Sequence, residues 1–237
     1  MSDWKLKRFW TDVTVETAGG GFGVRLDGRG IKTPAKRAIV MPTQGLADAV
    51  AAEWAAQKEE INPLEMPATR TVNAAIDKVA TQHAEVADML AAYGDSDLLC
   101  YRADTPQTLI ARQAAAWDPM LDWGHEALGA RLAPRTGVMH TPQDPAALAR
   151  LKELTHALTA FELAAFHDLV SLSGSLVLAF ATARGHEAPE AVWEISRLDE
   201  TWQAEQWGRD EEAETQANLK RQDFLHAARM FALSTQG

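Results

Sequence analysis

The hydrophobic period of this chain changes once, at Thr43, and that change dictates the fold class. Before it, Val13 and Val15 alternate with polar residues, Gly19-Gly20-Gly21 breaks the run, and Phe22, Val24 and Leu26 alternate again before Asp27-Gly28. A period of two between turn-forming glycines is the signature of a hairpin, because strand side chains point to opposite faces in turn. Ile31 to Thr33 and Ala38 to Met41 offer further strands, bounded by Pro34 and Pro42. The spacing predicts a small antiparallel β unit over roughly residues 8–42.

After it the period is helical. Thr43 suits an N-cap, and Leu46, Val50 and Trp54 share one face. Asn62-Pro63 should end that helix. A new segment starts at Met66-Pro67, with Val72, Ala75, Ile76 and Val79 as its stripe. Further helices are predicted over 83–92, from Pro106 at N1 to Trp117, and through Trp123 and Leu128 after a break at Asp118-Pro119. A loop over 133–145 precedes helices over about 145–159, 161–184, 188–207 and 210–233. The fold class is therefore α+β, with a small antiparallel β domain over 1–42 followed by a larger helical domain over 43–237.

The 237 residues are 46% hydrophobic and 24% charged, enough for a real core. A formal net charge of -10 argues against nucleic acid or an anionic membrane as partner, and Lys5-Leu6-Lys7-Arg8 is too short a basic run to reverse that. The single cysteine, Cys100, lies in an apolar context and suits a reducing compartment. Met1 to Lys5 holds no apolar leader, and the apolar stretch from Leu169 to Ala183 is shorter than the roughly 20 residues a membrane span needs. The expectation is a cytoplasmic, bacterial protein with no membrane insertion.

Signatures of chemistry fail on spacing. No Gly-Lys-Ser/Thr follows Gly19 to Gly23, so a phosphate loop lacks its lysine. His125-Glu126 and His186-Glu187 lead to Gly129 and Glu190 where a zinc site needs a second histidine. Ser171 to Ser175 lacks the glycines of a nucleophile elbow and reads as part of a buried helix.

The segment 188–207 stands out. Ala191, Ile195, Leu198 and Trp202 form one stripe, the expected core face, while Trp193, Arg197, Glu200, Ala204 and Trp207 form another. Large aromatics on two faces fit either a deeply buried helix or one that keeps a face for a partner. Indoles beside an arginine and a carboxylate are common at binding hot spots.

The chain resembles one family over nearly its whole length. The matching pieces are Arg8-Phe9-Trp10, Leu26-Asp27-Gly28-Arg29 with Thr33-Pro34, Glu53-Trp54 with Gln57, Met66-Pro67, and Ala75-Ile76-Asp77. They continue through Asp97 to Arg102, Gln113 with Trp117-Asp118-Pro119 and Trp123, Gly174-Ser175-Leu176, and Leu198-Asp199-Glu200 with Gln203 and Trp207-Gly208. The family is the assembly chaperones that hold the alpha subunit of F1 ATP synthase. The resemblance implies a β domain joined to a helical domain, no cofactor, no catalysis, and a free F1 alpha subunit held until the beta subunit replaces it. It also implies that Glu200 occupies the family's critical glutamate position, here after Asp199 where many members have Glu. Glu200, Trp193, Arg197 and Trp207 are the expected partner-binding residues of a monomer. The alternative is a small-molecule enzyme using Glu200 or Asp77 as an acid/base carboxylate in an interdomain cleft.

Overall fold

In the computed structural model, residues 7–137 and 139–235 are described. The leader reading, made on Met1 to Lys5, and the first two residues of the basic run fall outside them. A three-stranded antiparallel sheet of β1 (Val13–Ala18), β2 (Gly21–Leu26) and β3 (Arg29–Gly30) opens the fold, in the order β1-β2-β3. Both connections are two-residue turns with positive φ throughout, Gly19-Gly20 and Asp27-Gly28, as primed hairpin turns require. The Asp27 carboxylate accepts the Thr11 and Asp12 N–H groups, and these bonds hold its pKa below the usual value. At Gly21 a Cβ would lie 2.3 Å from the Met41 carbonyl oxygen, so only glycine fits there. Val24, Leu26, Ile31, Ile39 and Met41 are buried together as the apolar residues of this unit.

The expected strands over 31–33 and 38–41 are reduced to single bridges, Lys32 with Ala38 and Phe22 with Met41. The reason is the tight turn between them, where Thr33 and Arg37 pair and Lys36 adopts φ 63°.

The helical region is α1 (Gln44–Ala56), α2 (Pro67–Asp77), α3 (His83–Ala91), α4 (Gln107–Leu128), α5 (Pro145–His156), α6 (Ala160–Ser173), α7 (Leu176–Ala183), α8 (Pro189–Ser196), α9 (Leu198–Trp207) and α10 (Glu211–Thr235). Thr43 caps α1, its Oγ1 accepting the Leu46 N–H while donating to the Leu233 carbonyl. Glu53 caps α2 from α1 by accepting the Ala68 and Thr69 N–H groups. A two-stranded parallel pair, β4 (Tyr101–Arg102) with β5 (Arg135–Thr136), lies within the helical region.

Five boundaries differ from expectation. Helix α1 stops at Ala56, because the following chain runs extended and pairs Arg8 N–H with the Glu59 carbonyl. Pro106 is the N-cap rather than N1 of α4, and α4 continues through Asp118-Pro119 without a break. Burial of Trp117, Met120, Leu121 and Gly124 along one face outweighs the roughly 3 kcal/mol that an interior proline costs. The single helix expected over 161–184 divides at Gly174, whose φ is 70°. That over 188–207 divides at Arg197, where ψ opens to 16°.

By compactness the chain forms two units, which cut across the boundary expected at residue 42. One takes in Met1–His83, Thr159–Ala165 and Arg229–Gly237, and the other Ala84–Leu158 and Phe166–Ala228.

Candidate partner-binding surface

The second unit builds its most exposed aromatic feature on α9. The elbow at Arg197 forms because the last turn of α8 closes on itself. Ser196 Oγ donates to the Trp193 carbonyl at 2.7 Å, and the Arg197 N–H is shared between the carbonyls of Trp193 and Glu194. Trp193 is buried, its ring 5.6 Å from that of Phe224, and Val192 and Ser196 are buried beside it. The core face of α8 is thus Val192-Trp193-Ser196, not the expected Ala191-Ile195 stripe, which is half-buried. The Arg197 guanidinium lies over the Trp193 ring at 5.5 Å and pairs with Glu200. Burial draws the Arg197 pKa below its ordinary value.

Helix α4 holds this elbow at three points. Trp117 Nε1 donates to the Ile195 carbonyl at 3.0 Å. Gln113, 1% exposed, donates from Nε2 to Asp199 at 2.8 Å and accepts the Ala103 N–H through Oε1. Arg112 makes a two-pronged pair with Glu205, which raises the arginine pKa and lowers that of the carboxylate. These α4 residues carried no assigned role in the sequence reading; the i, i+4 pairing of Gln113 with Trp117 was the signal available.

Helix α9 separates two grooves. One, of about 620 Å³, is lined by Tyr101, Pro106, Leu109, Trp202, Gln206 and Trp207 among others. The other, of about 710 Å³, is lined by Trp193, Arg197, Glu200, Ala204 and the first turns of α10. Four residues of the predicted stripe therefore meet in one groove, and Trp207 stands in the other. Trp207 is 81% exposed.

Asp97, four residues before Tyr101, is fully buried. Its carboxylate accepts the Leu99 N–H at 3.0 Å and the Val177 N–H at 3.1 Å, so it fixes both the turn leading into β4 and the start of α7. Burial pushes its pKa up to about 6, against the hydrogen bonds that favour the charged form. From β4, Arg102 donates to the Leu99 carbonyl, pairs with Asp118 at 2.7 Å and lies over Trp117.

The two carboxylates considered for catalysis are both engaged. Asp77 accepts from Thr33 Oγ1 at 2.7 Å and from the Ala35 N–H, tying the 33–37 turn to α2. Glu200 pairs with Arg197. Cys100 is buried and its pKa is pushed up to about 12 by burial, so it is not a thiolate at neutral pH. Among the described residues no group of three or more His, Cys, Asp and Glu side chains could hold a metal ion, and no helix is long and apolar enough to cross a membrane.

A family model described as ATP12 chaperone protein matches residues 7–125, just over half of the chain. The chain belongs to the ATP12 chaperone family. This is a family of chaperones rather than enzymes. The chain is similar to the mitochondrial protein atp12 of Schizosaccharomyces pombe, 26% identical over 219 residues that cover 87% of this chain and 75% of that protein. The crystal structure of Atp12 from Paracoccus denitrificans superposes at a TM-score of 0.95, with 46% identity, covering 98% of this chain and 100% of that one. A protein of Agrobacterium tumefaciens superposes at 0.90 with 45% identity, covering 97% of this chain and 86% of that one. The small antiparallel sheet followed by a helical region is thus the fold of this family.

Proposed function

We propose that this chain is an assembly chaperone that holds the free F1 alpha subunit of ATP synthase, shields its beta-facing surface and releases it for F1 assembly. The observation that carries this reading is Trp207, an indole 81% exposed at the edge of a groove, on a helix pinned by Arg112 and Gln113, while Trp117 holds the end of α8 that leads into it. An exposed aromatic on a rigid support meets the needs of a protein partner, since little ordering cost is left for binding. Membership of the ATP12 chaperone family supports the same reading.

A free F1 alpha subunit exposes apolar surface that it later buries, which is an aggregation hazard. A carrier for it needs a matching surface and must not aggregate itself, and a net charge of -10 repels its own copies. In this reading Glu200, Arg197 and Trp207 contact the subunit and Trp193 supports Arg197 from below. The protein acts in the cytoplasm as a monomer.

Light scattering of a refolding F1 alpha subunit tests the proposal. Equimolar protein should suppress the scattering, and added F1 beta subunit should reverse the effect. Glu200→Gln should weaken holding about fivefold with an unchanged melting point, because its pair with Arg197 is half exposed and such pairs contribute under about 1 kcal/mol. A folded wild-type protein that leaves the aggregation unchanged overturns the reading.

A further inference from the structure

Groove composition separates the two sides of α9. The side holding Glu200 mixes both signs of charge, its four basic residues, Arg197 and Arg209 among them, being interspersed with five carboxylates that include Glu200 and Asp210. The side holding Trp207 is different. Among the described residues its one cation is Arg102, already taken up by Asp118 and the Leu99 carbonyl. Its two carboxylates, Asp104 and Asp199, have no cationic partner among the ion pairs of the described residues, and Asp199 is met only by the neutral amide of Gln113. Two indoles, Trp202 and Trp207, stand among these carboxylates, with Pro106 and Leu109 as apolar floor.

Resting on the F1 alpha reading above, we infer that this groove seats a short extended segment of the held subunit that carries an arginine or lysine between apolar residues. The cation stacks on the Trp207 ring, whose face attracts positive charge, and Asp104 and Asp199 supply the counter-charge. The apolar neighbours cover Trp202, Pro106 and Leu109. A volume of about 620 Å³ admits a few side chains, not a helix. An excess of negative charge around the groove, within a chain of net charge -10, disfavours an acidic segment there.

The test is the affinity of the full-length protein for the F1 alpha subunit, measured by calorimetry over a range of salt concentrations. Two variants are compared with wild type: Trp207→Ala, and Asp104→Asn combined with Asp199→Asn. The asparagine at 199 keeps an oxygen for Gln113, and Trp207 is too exposed to affect folding. Each variant should bind about tenfold more weakly at low salt. The double variant should also lose most of the salt dependence. Wild-type binding with both variants unaffected overturns the groove assignment while leaving the F1 alpha reading intact. Weakening by Trp207→Ala alone, with salt dependence unchanged in the double variant, means an uncharged apolar occupant and overturns the cationic one. Concentration-dependent dimerisation lost in Trp207→Ala identifies a second copy of this chain as the occupant and overturns it too. No binding by folded wild type removes the F1 alpha reading and this inference together.

Discussion

Asp97 joins two segments far apart in sequence, because one carboxylate accepts N–H groups from both the turn before β4 and the start of α7. Its folded pKa of about 6 lies above the 3.8 usual for an aspartate. A raised acid binds more protons folded than unfolded between those values. Its contribution to stability is therefore present below about pH 4 and is lost as pH rises through about 6. Asp97→Asn removes this titration and turns one acceptor oxygen into a donor facing an N–H, at a cost of about 1–3 kcal/mol. Unfolding free energies measured by urea from pH 4 to 7 should show the advantage of wild type over the variant shrinking as pH rises. A pH-independent difference would refute the assignment. The sequence displayed Asp97 within a family motif but not its role, since its partners at Ser175 and Val177 are brought near only by the fold. Glu200 and Arg197 were legible as a pair because i, i+3 spacing suffices. Gln113 was not, because its partner Asp199 lies on another helix.

Among elements, the legible ones were those signalled locally. Gly19-Gly20, Asp27-Gly28 and the Thr43 cap are each decided by two or three neighbouring residues, and each forms as the sequence predicts. The breaks at Gly174 and Arg197 were hidden, because the apolar stripe runs on through both. At Gly174 the left-handed residue lets the Ser173 and Ser175 hydroxyls meet the chain, and Ser175 caps α7 through the Leu178 N–H. A Cβ there would meet Leu98 at an ordinary 3.7 Å, so Gly174→Ala is penalised by backbone conformation and not by a clash. The expected loss is about 1–2 kcal/mol in urea unfolding. An unchanged midpoint would mean that the divided helix does not need its left-handed residue. Proline misled in the opposite direction at Pro119, where burial on one face keeps α4 whole.

At the scale of the molecule, the C-terminal residues of α10 count with the first unit although the helix begins in the second. Met230 and Phe231 are buried, and the Leu233 carbonyl accepts the Thr43 hydroxyl at 2.6 Å. A chain ending at Ala228 loses these groups from the unit that contains the sheet. Losing a buried Met or Phe side chain costs about 2–5 kcal/mol each, so the truncated chain should melt well below the full-length protein in calorimetry. Equal melting points would show that the segment adds nothing to that unit. No linear reading would group residues 229–235 with the first eighty, since proximity in sequence points the other way. The exposed indole of Trp207 has an optical consequence. Of the eight tryptophans, Trp4 lies outside the described residues, and of the others only Trp207 is exposed. Its emission is the reddest of the described set and the first that a dissolved quencher reaches, so the molecule carries at its candidate docking groove a reporter that needs no label.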